Sequence, residues 1–591
     1  MIEADAGRCI GCRICERACP YGAISISGPI TTRKSELPPL HVPSSIQGDT
    51  SEVEVGFRSL SEAIAEAERC LKCPDPTCVW GCPAHNDIPG FIGALERGDL
   101  EDARRIISLT SIFPGICSRL CDKATQCEGA CTLALGGGDP VAIGLIERFI
   151  TDSGRDTGRD VDEIRNVRKI RSTDSNGHSD GGMPDGGISV AVVGGGPAGI
   201  AAAWWLASWG VSVELFEAGH TPGGVLAWGI PDYVLPSEIA MAELTELLSS
   251  PQIRITTGFT VGRDADLDRL LADHNAVVLA HGASLPPELD IPGSSLTGVH
   301  NARDFLEQSR NWLSERGIHK DSQPREHPSV DKETASGRDG HPGTGERERE
   351  VAGQGERERE REREVAGQGE WEGNPAGRVL VLGGGDTAMA VCRTAARLGM
   401  QAVSVRRSTE SSARVRHDEV SQARLEGVDV RFSTFVERLE GSSEGAVKAA
   451  RLRSQNAGKA RHHLLKKTIP AMEVLAVDCV VIATGFKVDQ SVAGQSTADG
   501  NKMPSLPLHS RTFLASRLKN RLSAGGMLDR KPTANILSGI LKRENDLELA
   551  AHPVIERCWV IGDALAGPSS VVEAMAHGRQ AAMNILSQLR G

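Results

Sequence analysis

The stretch "ISVAVVGGGPAGIAAAWWLASWGVSVELFEA", residues 188–218, reads as a strand, a tight glycine turn, a helix and a second strand. Gly194, Gly196 and Gly199 fill the three positions of a G-x-G-x-x-G loop between the first strand and the helix. Glycines at these positions permit the turn, let a pyrophosphate approach the helix N-terminus, and bring helix and sheet close together. Glu217 ends the second strand, where a carboxylate accepts hydrogen bonds from ribose hydroxyls. The stretch predicts a dinucleotide site in a parallel α/β fold.

The pattern returns in "GRVLVLGGGDTAMAVCRTAARLGMQAVSVRRS", residues 377–408. Gly383 and Gly385 take the first two positions, Ala388 takes the third, and Asp386 opens the helix. Glu217 lies 217 − 194 = 23 residues after the first glycine of its loop; at the same offset here, 406 − 383 = 23, stands Arg406, followed by Arg407. An acid at this place suits a ribose 2′-hydroxyl, and an arginine suits a 2′-phosphate. The second site is therefore expected to take NADPH in preference to NADH. A further Gly-Asp turn, Gly562-Asp563, precedes a helical run in "CWVIGDALAGPSSVVEAMAHGRQAA", residues 558–582. An aspartate there can hold the ribityl and pyrophosphate region of a flavin. Two dinucleotide sites imply two cofactors, between which a hydride can pass.

The chain has 591 residues and a formal charge of -12, which argues against nucleic acid or an anionic membrane surface as the main partner. The opening "MIEADAGRC" carries acids and no apolar run, unlike a secretory signal. An uncharged stretch around Ser189–Ser212 raises the question of a membrane span, but Gly194, Gly195, Gly196 and Pro197 break it. A cytoplasmic protein with no membrane contact is expected, and there clustered cysteines mean metal or redox chemistry more often than disulfides. Of 15 cysteines, twelve lie before residue 132; Cys392, Cys479 and Cys558 read as buried apolar residues. Residues 153–187 ("SGRDTGRD", "STDSNGHSDGGMPDGG") read as a linker. Residues 319–375, which carry "REREVAGQGE" twice, read as a disordered insertion with too few apolar residues for a core.

The order of "GGGPAG", "TPGGVLAWGIPDYVLP", "GGGDTAM", "ATGF" (Ala483–Phe486) and "GDALAGPSSVVEAMAHGR" resembles the glutamate synthase small subunit. It is also similar to the N-terminal half of dihydropyrimidine dehydrogenase and to the large subunit of NADH-dependent ferredoxin:NADP oxidoreductase. The likeness covers about residues 55–150, 188–318 and 376–591. It implies two Rossmann-type folds, the NAD(P)H fold inserted in the FAD fold, preceded by a helical iron–sulfur domain and a short ferredoxin-like motif. Expected units are residues 1–30 for that motif, 55–152 for the helical domain, 188–300 and 486–591 for FAD, and 301–485 for NAD(P)H. The resemblance implies FAD binding by Gly194, Gly196, Gly199, Glu217, Gly224, Gly562 and Asp563, and NADPH binding by Gly383, Gly385, Asp386, Arg406 and Arg407. Ala390 and His281 depart from it, since the family commonly has aspartate and threonine there.

"ERCLKCPDPTCVWGCP", residues 68–83, places Cys70, Cys73, Cys78 and Cys82 in a C-x2-C-x4-C-x3-C-P spacing, and "ICSRLCDKATQCEGAC" adds Cys117, Cys121, Cys127 and Cys131. These lack the paired C-x2-C pattern of zinc ribbons, and soft thiolates beside a flavin enzyme favour [4Fe-4S] clusters. The resemblance implies one cluster on Cys70, Cys73, Cys78 and Cys131, and another on Cys82, Cys121, Cys127 and the carboxylate of Glu147, with Cys117 left to pack. Upstream, "CIGCRICERACPYGAI" has the C-x2-C-x2-C-x3-C-P spacing of a ferredoxin. It predicts a further cluster on Cys9, Cys12, Cys15 and most simply Cys19; the alternative is half of a ferredoxin completed elsewhere.

Pyridine nucleotides deliver electron pairs and iron–sulfur clusters take single electrons, so FAD belongs between them. The expected path runs from NADPH through FAD to the clusters and on to an electron-accepting protein subunit or ferredoxin, within a hetero-oligomer. No proton-transfer catalyst is expected, because hydride transfer needs orientation above all. Two alternatives are the NAD(P)H-oxidising subunit of a two-chain dihydropyrimidine dehydrogenase and a non-catalytic iron–sulfur carrier.

Overall fold

The computed structural model describes residues 34–154, 187–315, 377–454, 471–489 and 556–590 apart from a few short gaps, together with Cys15, Glu16, Ile24 and Pro553. The positions expected for Cys9, Cys12 and Cys19, most of the linker and the 319–375 insertion lie outside the described residues.

Thirteen strands are described: β1 Ser189–Val193, β2 Ser212–Phe216, β3 Ile253–Thr256, β4 Ala276–Leu279, β5 Val299–Asn301, β6 Arg378–Leu382, β7 Gln401–Val405, β8 Asp429–Arg431, β9 Thr434–Gly441, β10 Val447–Ser454, β11 Ala471–Ala476, β12 Cys479–Ile482 and β13 Cys558–Val560. Ten of them form two five-stranded parallel sheets, β13-β4-β1-β2-β3 and β5-β12-β6-β7-β8. The chain leaves the first sheet after β4, builds the whole second sheet, and returns as β13 to pair with β4. One doubly wound fold is thus inserted in another, as expected. The β5 strand starts two residues ahead of the expected boundary at 301.

Central strands such as "SVAVV" and "AVVL" are buried on both faces, which is why they read as unbroken apolar runs. The helix Pro197–Ser208 is apolar nearly all round because it lies between the first sheet and the C-terminal helix Val571–Arg590. A Cβ added at Gly578 of that last helix would lie 2.4 Å from the Ala198 carbonyl oxygen.

The second sheet departs from the uniform helix-and-strand alternation that the sequence suggests. The antiparallel strands β9, β10 and β11 cover one of its faces, burying Leu439, Val447, Ala450, Leu452 and Leu475 against Leu380, Leu382, Val403 and Val405. Their one-sided polarity, as in "VKAARLRS", hid them among helical patterns.

Among the described residues from 34 on, seven helices lie ahead of the sheets: Leu60–Ala67, Thr77–Gly81, Ile88–Glu96, Leu100–Ser108, Pro114–Leu120, Thr132–Leu135 and Ile143–Asp152. Side chains of Ser59, Asp87 and Asp99 cap three of them, and Phe91, Ile92, Leu95, Ile107, Leu133, Ile146 and Ile150 form the core. This unit starts earlier than residue 55. Residues 34–57 form a strap whose Glu52 accepts from the buried Arg119 (2.7 Å) and Arg148 (2.6 Å), charges that need a carboxylate between them. The strap also reaches both sheets' folds, through Val53 N–H to the Tyr233 carbonyl (3.0 Å) and Gly48 N–H to the Arg397 carbonyl (2.8 Å). Among the described residues, no helix is long and apolar enough to cross a membrane.

Candidate functional site

In the first glycine loop, a Cβ at Gly199 would stand 1.9 Å from the Gly194 carbonyl oxygen, so only glycine lets the helix begin this close to β1. Gly196 is the cap of that helix, and Gly224, at φ +53°, sits so near that its Cβ would lie 2.9 Å from the Gly196 Cα. Gly562 abuts Ala198 from the C-terminal segment. The Glu217 carboxylate spans the loop, accepting from Gly195 N–H and Gly219 N–H, both at 2.7 Å. Beside Gly562, Asp563 accepts from Ser569 N–H (3.0 Å) and Oγ–H (2.6 Å), while burial raises its carboxyl above the ordinary range. Three chain segments therefore converge on one helix N-terminus, leaving backbone room there for a pyrophosphate.

The second loop repeats the geometry with opposite charge. A Cβ at Gly383 would stand 2.1 Å from the Ala483 carbonyl oxygen. Gly385 caps the helix Asp386–Arg397. Arg406 is only 8% exposed; its guanidinium lies against Gly384 and over the Phe432 ring at 5.1 Å. Its Nε donates to Ser408 Oγ at 3.1 Å, and Nη1 is buried without a partner. An unpaired buried guanidinium N–H is costly, and an anion against this loop would satisfy it. Arg407 is exposed. Asp386, its carboxyl raised by burial, accepts from Arg416 N–H at 3.0 Å, and Arg416 also donates to the Arg119 carbonyl (3.3 Å) in the helical unit. No motif marked Arg416, whose bonds to Asp386 and Arg119 span 30 and 297 residues.

Seven of the eight cysteines of the helical unit fall into two neighbouring groups. Cys70, Cys73, Cys78 and Cys131 line one pocket with Ile88, Ile92 and Leu133. Cys82, Cys121, Cys127 and Glu147 form the other group, each within electrostatic reach of the rest. Cys82 N–H donates to the Cys78 carbonyl at 3.1 Å, so one helical turn joins the groups. Burial pushes the Cys82 thiol up to about 12 and the Glu147 carboxyl up to about 8, and it also raises Cys70, Cys78 and Cys127. Cys121 is raised first by its hydrogen bond with Cys117 and then by burial. Anions here need a positive group among them.

Among the described residues, no three His, Cys, Asp or Glu side chains converge on a point that would hold a single metal ion. Soft thiolates spaced around a void instead fit the corners of an iron–sulfur cluster. Cys82, Cys117 and Cys121 also pack into the apolar core of the first glycine fold. Cys15 is exposed; its expected partners are outside the described residues.

Comparison with known proteins agrees with this division. The family model for dihydropyrimidine dehydrogenase domain II, 4Fe-4S cluster, matches residues 47–159, and a 4Fe-4S binding domain model matches residues 1–24. The pyridine nucleotide-disulphide oxidoreductase model matches residues 188–332 and 337–505. The chain is 29% identical to the glutamate synthase [NADPH] small chain of Halomonas elongata, covering 89% of this chain and 91% of that one. For the Escherichia coli small chain the figures are 28%, 90% and 92%, and for that of Azospirillum brasilense 30%, 67% and 69%.

Proposed function

Because the chain belongs to the glutamate synthase small-chain family, with dinucleotide folds of the pyridine nucleotide-disulphide oxidoreductase type, we propose that it is the electron-input subunit of a cytosolic hetero-oligomer. It is an NAD(P)H-dependent FAD and iron–sulfur oxidoreductase, and a non-catalytic carrier is thereby set aside. The electron-accepting partner is a larger subunit that carries the final reaction.

Gly194, Gly196 and Gly199 would take the FAD pyrophosphate at the start of helix Pro197–Ser208, and Glu217 the adenosine ribose. Gly224 closes over the same loop, with Gly562 and Asp563 at the ribityl end. When bound, FAD supplies the exchange between a hydride and single electrons. Gly383, Gly385 and Asp386 position the second dinucleotide, while Arg406 and the exposed Arg407 bind its 2′-phosphate. Cys70, Cys73, Cys78 and Cys131 would hold one [4Fe-4S] cluster, and Cys82, Cys121, Cys127 and Glu147 the next.

The observation that carries this reading is the shared core: Cys82 and Cys121 pack against the core of the first glycine fold itself. The test is an anaerobic titration with NADPH, followed by flavin absorbance and by electron paramagnetic resonance. The expected result is flavin bleaching together with reduced-cluster signals. Bleaching by neither NADPH nor NADH would overturn it. The match to the dihydropyrimidine dehydrogenase domain favours a second reading, the NAD(P)H-oxidising subunit of a two-chain enzyme of that kind. The partner that copurifies decides between them.

A further inference from the structure

Tyr233 belongs to the loop that follows Gly224 in the first fold, yet its ring is inserted into the second. It is 2% exposed and meets two guanidiniums of helix Asp386–Arg397, with Arg397 at 3.7 Å and Arg393 at 4.6 Å from the ring centroid. Its hydroxyl donates to the Ala390 carbonyl at 3.0 Å, one turn beyond the loop that opens the helix. Both arginines are themselves held. Arg393 meets Glu419 at 2.6 Å and Glu426 at 2.8 Å, and Arg397 meets Glu426 at 2.6 Å, all of them buried. Beside them Arg310 of the second fold pairs with Asp232 at 3.0 Å and donates to the Ala227 carbonyl.

Buried ion pairs are poor stabilisers, because desolvation offsets their attraction; their best-attested use is to fix register. Here the register is that between two cofactor loops. The backbone from Gly224, which touches Gly196, reaches Tyr233 in nine residues, and the ring then grips the helix that starts at Gly385. We infer that Tyr233, held by Arg393 and Arg397, is a positioning residue that sets the distance and angle between the two dinucleotide sites. The folds therefore work as one rigid unit, with no rotation of one against the other during hydride transfer. This rests on the proposed transfer between those sites.

The experiment uses the holoenzyme in anaerobic stopped flow, reading the rate of flavin reduction and, separately, NADPH affinity. Amide exchange of residues 386–397 without turnover gives a readout independent of activity. In Tyr233→Leu the reduction rate should fall about ten- to a hundredfold, the cost of a misplacement on the order of 1 Å. FAD content and NADPH affinity should stay near wild type, and exchange in the helix should quicken. Tyr233→Phe, which keeps the ring against the guanidiniums, should recover most of the rate. A Tyr233→Leu holoenzyme that is reduced at the wild-type rate overturns the inference. If that variant does not retain FAD, Arg397→Lys, which keeps the charge but loses the planar stack, takes its place with the same two outcomes. A wild-type protein that NADPH fails to reduce would instead sink the underlying reading before any variant is compared.

Discussion

Arg406 lies across the backbone of Gly384, so close that a methyl group on that glycine would stand 2.4 Å from the arginine Nε. The corresponding pair in the first fold, Glu217 over Gly195, has the same placement and the opposite charge. Arg406→Ala should lower kcat/KM for NADPH by roughly ten- to a hundredfold, the worth of a charge-assisted hydrogen bond. NADH turnover and FAD content should hardly change. Steady-state kinetics with both coenzymes checks this, and equal loss of both would make the arginine a structural element only.

The metal content is a second expectation. Protein purified without oxygen should carry about 12 irons if three [4Fe-4S] clusters form, and about eight if the motif at residues 9–19 stays empty. Elemental analysis reads both figures. Stoichiometric zinc with little iron would rule out an electron path.

Glu147 offers a sharper probe of one cluster. Glutamine keeps an oxygen ligand at that corner, whereas alanine leaves none. Glu147→Gln should therefore retain the iron, and Glu147→Ala should lose about four irons per chain. Paramagnetic resonance of the reduced forms should show one cluster signal fewer in the alanine variant. Unchanged iron in Glu147→Ala would return the residue to an ordinary helix position.

Gly578 packs its backbone on Ala198, and an added Cβ would also lie 2.8 Å from the Ala201 Cβ. Gly578→Ala should force the last helix away from helix Pro197–Ser208 and destabilise the protein by about 1–3 kcal/mol. Because Ala198 stands in the first turn above Gly196, bound FAD should fall as well. Thermal unfolding and the flavin-to-protein absorbance ratio measure the two effects.

What the sequence made legible was local. Both glycine loops declared themselves through spacing, and the residue 23 positions later separated Glu217 from Arg406 before any coordinates. Cys70, Cys73, Cys78 and Cys131, which the resemblance proposes as one ligand set, line a common pocket. The contacts that join the units stayed hidden. Tyr233 and Arg397, Arg416 and Arg119, or Glu52 and Arg148 are too far apart in the chain for any periodicity to link them. The strap's bonds to the Tyr233 and Arg397 carbonyls are equally remote along the chain. The β9–β11 sheet was missed for another reason, the arginines that line its outer face.

The return of β13 to the first sheet sets an order on biosynthesis. The ribosome completes every described strand of the inserted fold by Ile482, long before Cys558–Val560 emerge to close the first sheet beside β4. Until then β4 has a bare edge, and helix Pro197–Ser208 lacks the C-terminal helix that covers it. Such late, distant pairing slows folding and leaves apolar surface exposed. The strands of the inserted fold are thus all synthesised while the first sheet still lacks β13 and helix Pro197–Ser208 still lacks its covering helix.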